Sequence, residues 1–167
     1  MTQDEQYLRA IEEFGPALLR MVRAYEPDAD LRHDLSQDVY FALWRSFANF
    51  AGQCSLRTWV YRVANNTVIS VRLRRRKARL VSLDELADTP APDDPENAAA
   101  NSHVLARLQT SIRDLAPPDD QVMLLYLEDH DAASIAEITG LSARAVATRI
   151  HRVKHLLSSR FHQGDAS

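Results

Sequence analysis

At 167 residues the chain has room for one domain or two small ones, and its 46% hydrophobic content is ordinary for a globular protein. No apolar stretch approaches the roughly 20 residues that span a bilayer. Residues 1–9 are polar and acidic, unlike a secretory signal, and the lone Cys54 excludes an internal disulfide and suits a reducing compartment. A formal net charge of −3 does not itself point to nucleic acid, so only the distribution of charge along the chain can.

Scarce glycine and the lack of sustained two-residue alternation predict an all-α chain. Residues 7–25 carry Leu8, Ile11, Phe14, Leu18, Leu19 and Val22 at helical spacing, and Pro16 is expected to start a second helix or kink the first. A turn at Pro27 leads into a helix over about residues 31–47, with Leu35, Val39, Ala42, Leu43 and Phe47 apolar. Residues 49–55 read as a loop around Gly52, and Ser55 can cap a helix from Leu56 to about Arg79. Residues 84–96 then hold six acids, three prolines and no cation, the composition of a flexible tether. Helical spacing resumes near residue 98 through Val104, Leu105, Leu108 and Ile112, and Pro117-Pro118 stops it. A helix over residues 119–128 follows, with Val122, Leu124, Leu125 and Leu127 apolar. The expected organisation is two small helical domains, residues 1–80 and 98–167, joined by a flexible acidic linker over residues 81–97.

Two segments stand out by charge. From Arg57 to Arg79 there are eight Arg or Lys residues and no acid. Trp59, Tyr61, Asn65 and Asn66 precede Arg72, Arg74, Arg75, Arg76 and Lys77. Cations neutralise phosphates, rings stack on bases and amides read base edges, so the mixture points to nucleic acid, including unpaired bases. A solvated basic helix face is the plain alternative.

Over residues 132–157, Ile135, Ala136, Gly140, Leu141, Val146 and Ile150 are spaced as in a helix-turn-helix. Ala136 is small where two helices would cross. Gly140 can supply the positive φ that ends the first helix, and Ser142 can cap the second. Leu141, Val146 and Ile150 would bury the second helix, leaving Arg144, Ala147, Thr148, His151, Arg152 and Lys154 outward. Such a helix enters the major groove by its N-terminal half. The plain alternative is a helical hairpin used for packing or protein contact.

The run Asp34-Leu35-Ser36-Gln37-Asp38-Val39-Tyr40 leads to Leu43-Trp44-Arg45, then Phe50-Ala51-Gly52, then Ser55-Leu56-Arg57-Thr58-Trp59-Val60-Tyr61-Arg62-Val63-Ala64-Asn65-Asn66. In this order, with the Arg-rich end and the C-terminal motif behind it, the chain resembles bacterial sigma factors of the extracytoplasmic-function group over about residues 7–160. The resemblance implies a bacterial cytoplasmic protein that binds core RNA polymerase and directs it to a promoter. Asp34, Leu35, Gln37, Asp38, Leu43 and Trp44 match the surface that docks on the clamp helices of the β′ subunit, and the β subunit is a further expected contact. Helical spacing turns Leu35, Leu43 and Phe47 toward their own core and exposes Asp34, Gln37 and Asp38 as acceptors for arginine on a partner.

By the same resemblance, the loop matching residues 50–55, with Gln53 and Ser55, helps hold a base flipped from the non-template strand of the −10 element. Arg57, Thr58, Tyr61, Arg62, Asn65 and Asn66 stand at matching DNA-contact positions. Helical geometry gives Thr58, Arg62, Asn65 and Asn66 roughly one face and turns Trp59 and Val63 toward the core. Arg72, Arg74, Arg75, Arg76 and Lys77 suit phosphate contact without base reading. The −35 recognition helix corresponds to Arg144 through Lys154. Ser142, Arg144, Thr148, Arg149, His151, Arg152 and Lys154 are its expected DNA contacts. Ala147 departs from the Lys or Arg common there, with Arg144 placed to compensate, so the base pairs read at −35 stay open. An anti-sigma factor is the further partner implied. The linker carboxylates match a segment that mimics RNA phosphates in the polymerase channel, or serve as a solvated tether.

No Gly-rich phosphate loop, carboxylate metal cluster or nucleophile with a neighbouring base is present, so neither an enzyme nor a cofactor is expected. His151 and His155 are four apart on a helix, but a metal needs three or four ligands and only His162 offers itself further. Two rival readings remain: a stand-alone helix-turn-helix regulator that binds duplex DNA as a dimer, and a helical adaptor for acidic proteins.

Overall fold

The computed structural model of the chain describes residues 1–81 and 100–164. It divides into two compact units, residues 1–94 and 95–167. Every described element is a helix, and no strand occurs among the described residues. Apart from Val81, the linker expected over residues 81–97 lies outside the described residues.

The first unit holds α1 (Gln3–Tyr25), α2 (Ala29–Ser46) and α3 (Leu56–Val81). Thr2 opens α1 with a reciprocal cap. The Glu5 N–H donates to Thr2 Oγ1 at 3.2 Å, and the Thr2 N–H donates to Glu5 Oε2 at 2.8 Å. That backbone donor holds the Glu5 carboxyl below its usual pKa.

Of the two outcomes expected at Pro16, the start of a second helix does not occur, since α1 is one element of 23 residues with Pro16 inside it. Gly15 carries no Cβ to clash with the proline ring, which is the usual reason a helix ends before proline. Pro16 and Glu12 are both exposed, so the Glu12 carbonyl that loses its helical donor stands on a solvated side.

Asp28 caps α2 by accepting from the Leu31 N–H at 3.0 Å. Ser55 caps α3, as its sequence position predicts, by accepting from the Thr58 N–H at 3.1 Å. The core takes Ala10, Leu18, Met21 and Val22 from α1, Leu35, Val39 and Leu43 from α2, and Val60, Ala64, Val68 and Val71 from α3. These spacings of three, four and eight make one apolar stripe per helix. Burial contributes about 1.5–3 kcal/mol for each large side chain. Leu8 and Leu19, counted in the apolar pattern of α1, are exposed.

The second unit holds α4 (Ala100–Arg113), α5 (Asp119–Leu127), α6 (Ala132–Thr139) and α7 (Ala143–Gly164). Of the apolar residues expected on α4, Ile112 is buried, whereas Val104 and Leu105 are exposed. Asp131 caps α6 through the Ser134 N–H at 2.8 Å. Gly140 ends it in the left-handed region at φ 82°, with its N–H on the Ala136 carbonyl at 2.9 Å. Ser142 then caps α7 by accepting from the Ala145 N–H at 3.1 Å. Ile135, Ile138, Val146, Ile150, Val153 and Leu157 of this helical hairpin are buried together with Val122 and Leu125 of α5, against which both helices pack.

Candidate nucleic-acid interface

In the first unit the loop before α3 is held from both sides. The rings of Phe47 and Phe50 meet edge-on at 5.8 Å, and Phe50 packs on Trp59 at 5.1 Å. The Trp59 indole N–H donates to Ser46 Oγ at 3.0 Å. Gln53, expected at the flipped base, folds the loop on itself. Its Oε1 accepts from the Ala51 N–H at 2.8 Å and its Nε2 donates to the Asn49 carbonyl at 3.0 Å. Gly52 at φ 76° lets the chain turn there. The Ser55 hydroxyl is used as a helix cap and also donates to Thr58 Oγ1 at 3.0 Å.

Helix α3 divides the expected −10 residues in two. Arg57, Asn66, Arg74, Arg76 and Lys77 are exposed, and Arg62 and Arg72 are half-buried. Thr58, Tyr61 and Asn65 are 6%, 2% and 1% exposed. The expected face of Thr58, Arg62, Asn65 and Asn66 is therefore corrected. Tyr61, Ala64, Val68 and Val71 recur at three and four residues, and Thr58 and Asn65 fall on that same stripe. The Tyr25 hydroxyl donates to Asn65 Oδ1 at 3.2 Å inside the bundle. Trp59 and Val63, expected as core, are half-buried beside it.

Arg75, expected at a phosphate, is engaged within the unit. Its Nη1 pairs with Glu26 Oε2 at 2.9 Å and its Nη2 donates to the Leu31 carbonyl at 3.3 Å, so it ties α3 to the α1–α2 turn. Arg72 lies over the Tyr25 ring at 5.4 Å, and Arg57 over the Tyr61 ring at 5.9 Å. Arg57 and Arg72 are thus held by rings, while Arg74, Arg76 and Lys77 extend along the exposed end of the helix.

Helix α2 presents a different chemistry. Asp34, Gln37 and Asp38 are exposed, and Gln37 Nε2 lies 3.2 Å from His33 Nε2. Leu35 and Leu43, included in the expected docking set, are fully in the core, which follows from their i, i+8 spacing through Val39. Trp44 is 38% exposed, and beside it stands Phe41 at 60%, a residue the sequence reading passed over. The two rings stack at 6.4 Å with 24° between planes, and the Arg45 guanidinium covers Phe41 at 5.7 Å. The Trp44 indole N–H donates to Asp4 Oδ1 at 2.7 Å, and Gln3 Nε2 donates to the Trp44 carbonyl at 2.8 Å. Phe41 was legible in principle, being a large aromatic two positions off the Leu35-Val39-Leu43 stripe.

In the second unit, Arg144, Ala147, Thr148, His151, Arg152 and Lys154 are all exposed on α7, as the hairpin geometry predicts. A shallow depression on this face is lined by Ser142, Arg144, Ala145, Thr148, Arg149 and Arg152. Three of the cations are also engaged within the unit. Arg149 and Arg152 pair with Asp119 at 2.7 and 2.8 Å. Lys154 Nζ lies 4.4 Å from the centre of the Tyr126 ring. The Thr148 hydroxyl donates to the Arg144 carbonyl at 3.0 Å. Asp119 and Tyr126, both on α5, were not read from sequence as parts of this face, because nothing local links them to α7.

Family models match twice: Sigma-70 region 2 over residues 10–79 and Sigma-70, region 4 over residues 105–157. The chain is 27% identical over 150 residues to the ECF RNA polymerase sigma factor SigG of Mycobacterium tuberculosis, a match covering 75% of this chain and 40% of SigG. It therefore spans less than half the length of that relative. It is 29% identical over 124 residues to the RNA polymerase sigma factor YlaC of Bacillus subtilis, covering 72% of each. It is 27% identical over 137 residues to the ECF RNA polymerase sigma factor SigW of Bacillus subtilis, covering 74% of this chain and 72% of SigW. Among solved structures the fold is similar to that of CnrH in complex with the cytosolic domain of CnrY. The TM-score is 0.68 at 23% identity, over 94% of this chain and 88% of that one.

Proposed function

The chain belongs to the sigma-70 family, in its extracytoplasmic-function group, and from this we propose that it binds core RNA polymerase and directs initiation at promoters through −10 and −35 elements. The observation that carries this reading is the pair of matched segments, region 2 and then region 4, in that order on one chain.

The surfaces suit the division of work. The face of α2 that carries Asp34, Gln37, Asp38, Phe41 and Trp44 combines acceptors with an exposed aromatic pair, the composition of a protein contact. It docks on the β′ clamp helices, and the β subunit is a further contact. The loop before α3, with Arg57, Arg62 and Asn66, meets the −10 strand, and Arg74, Arg76 and Lys77 meet phosphates. Unpairing a base costs a few kcal/mol, which contacts in the loop must offset. Helix α7 enters the major groove at −35 by its N-terminal half. Catalysis belongs to the polymerase.

CnrH, the structural relative, is bound to the cytosolic domain of CnrY. We infer a comparable partner here, an anti-sigma protein that covers these surfaces.

Gel filtration with purified core RNA polymerase tests the reading. The protein should co-elute with core enzyme, bind promoter DNA weakly on its own and bind it tightly once core enzyme is present. Tight binding of a palindromic duplex by a dimer of the protein alone would favour a stand-alone regulator.

A further inference from the structure

The carboxylate of Asp119 lies between two cations of the duplex-facing helix. Its Oδ1 accepts from Arg149 Nη1 at 2.7 Å and its Oδ2 from Arg152 Nη2 at 2.8 Å. The two arginines are three residues apart on α7 and so share a face. Side-chain exposure is graded from 17% for Asp119 through 30% for Arg149 to 59% for Arg152, which makes the carboxylate the inner member. Asp119 is also the first residue of α5. The helix dipole favours a negative charge at that position. The carboxylate is thus fixed by α5 while both its oxygens serve α7. Arg149 and Arg152 both line the depression on the outer face of α7.

We propose that Asp119 is a specificity-determining positioning residue, which clasps Arg149 and Arg152 so that they are offered to base edges instead of collapsing onto the nearest phosphates. The proposal rests on the reading of α7 as the −35 helix. A guanidinium has five N–H donors in a rigid fork. A single bond to a carboxylate oxygen leaves most of the fork for a base edge, such as the O6 and N7 pair of guanine. The clasp also weakens sequence-independent binding. The carboxylate offsets one of the two positive charges, and a tethered arginine cannot follow the phosphate backbone, so fewer counterions are released. The ratio of specific to non-specific affinity rises on both counts.

The test compares the full chain with Asp119→Asn, which keeps size and removes charge, and Asp119→Glu, which restores charge. Each protein alone is titrated with a random-sequence duplex across a salt series. Two released cations steepen the dependence of log affinity on log salt by up to about 1.8. Between about 50 and 200 mM salt, the Asp119→Asn protein then loses roughly tenfold more affinity than the parent. Adding Arg152→Gln to Asp119→Asn removes about half of that increment. Each protein is next assembled with core RNA polymerase and compared on promoters with intact and scrambled −35 elements. The preference for the intact element falls about fivefold or more in Asp119→Asn and recovers in Asp119→Glu.

An unchanged salt slope overturns the clasp. A steeper slope with unchanged −35 preference overturns its role in specificity, as does loss of thermal stability alone. If the parent holoenzyme makes no promoter-specific transcripts, the sigma reading fails separately. The salt series and the parent's preference among duplexes of defined sequence then still judge Asp119.

Discussion

The Tyr25 hydroxyl, in the last turn of α1, donates to Oδ1 of Asn65, in the middle of α3, at 3.2 Å. Both residues are buried, so an amide that the family pattern places against DNA joins two helices of the bundle. Asn65→Ala is therefore expected to lower the free energy of unfolding by about 1–3 kcal/mol, since it takes one partner from a buried hydrogen bond. Its exposed neighbour is the control. Asn66→Ala should change stability by less than about 0.5 kcal/mol while weakening promoter opening in the assembled holoenzyme. Urea unfolding and permanganate footprinting of the opened strand separate the two effects.

The arginine run should behave unevenly. Arg75→Ala breaks the half-buried pair with Glu26 and the bond to the Leu31 carbonyl. It is expected to lower the melting temperature, with about 1 kcal/mol at stake. Arg74→Ala and Arg76→Ala should leave melting unchanged. Each should instead reduce the salt dependence of DNA binding by about 0.7–0.9 in log–log slope, the share of one phosphate contact.

On α2, the exposed aromatic pair and the buried leucine between its members give opposite expectations. Phe41→Ala should leave the fold intact and weaken core polymerase binding by about 1–4 kcal/mol, as truncation of an interface aromatic does. Combined Gln37→Ala and Asp38→Ala should weaken the same binding with the fold unchanged. Leu43→Ala opens a cavity in the core and should destabilise the first unit by about 2–5 kcal/mol. Calorimetric melting read beside fluorescence-anisotropy titration with core enzyme distinguishes an interface residue from a core one.

Gly140 stands at φ 82° with no atom within 4 Å of where a Cβ would sit. Gly140→Ala thus meets no steric clash, and the penalty is that of the left-handed backbone alone, about 1 kcal/mol. Thermal melting should fall by a few degrees while −35 recognition survives. A collapse of the helix-turn-helix would mean the turn depends on more than that dihedral.

The helix order, both caps at Ser55 and Ser142, the turn at Gly140 and the outward face of α7 were legible in the sequence, because each depends on local spacing or a single residue type. What was not legible involves residues far apart in sequence. Asp119 reaches Arg149 and Arg152 across 30 and 33 positions, and Glu26 reaches Arg75 across 49. Charge counting therefore overstated how much of each basic run stands open to DNA. The polar residues Thr58, Tyr61 and Asn65 were placed by motif when their spacing with Ala64, Val68 and Val71 already assigned them to the packed stripe. The continuity of α1 through Pro16 was not legible either, because it depends on how the preceding glycine relieves the clash with the proline ring.

The most direct test of the central claim is run-off transcription by purified core RNA polymerase on fragmented genomic DNA, with and without this protein. Discrete new start sites that share upstream −35 and −10 elements are predicted. No new starts, together with failure of the protein to co-elute with core enzyme, would contradict it.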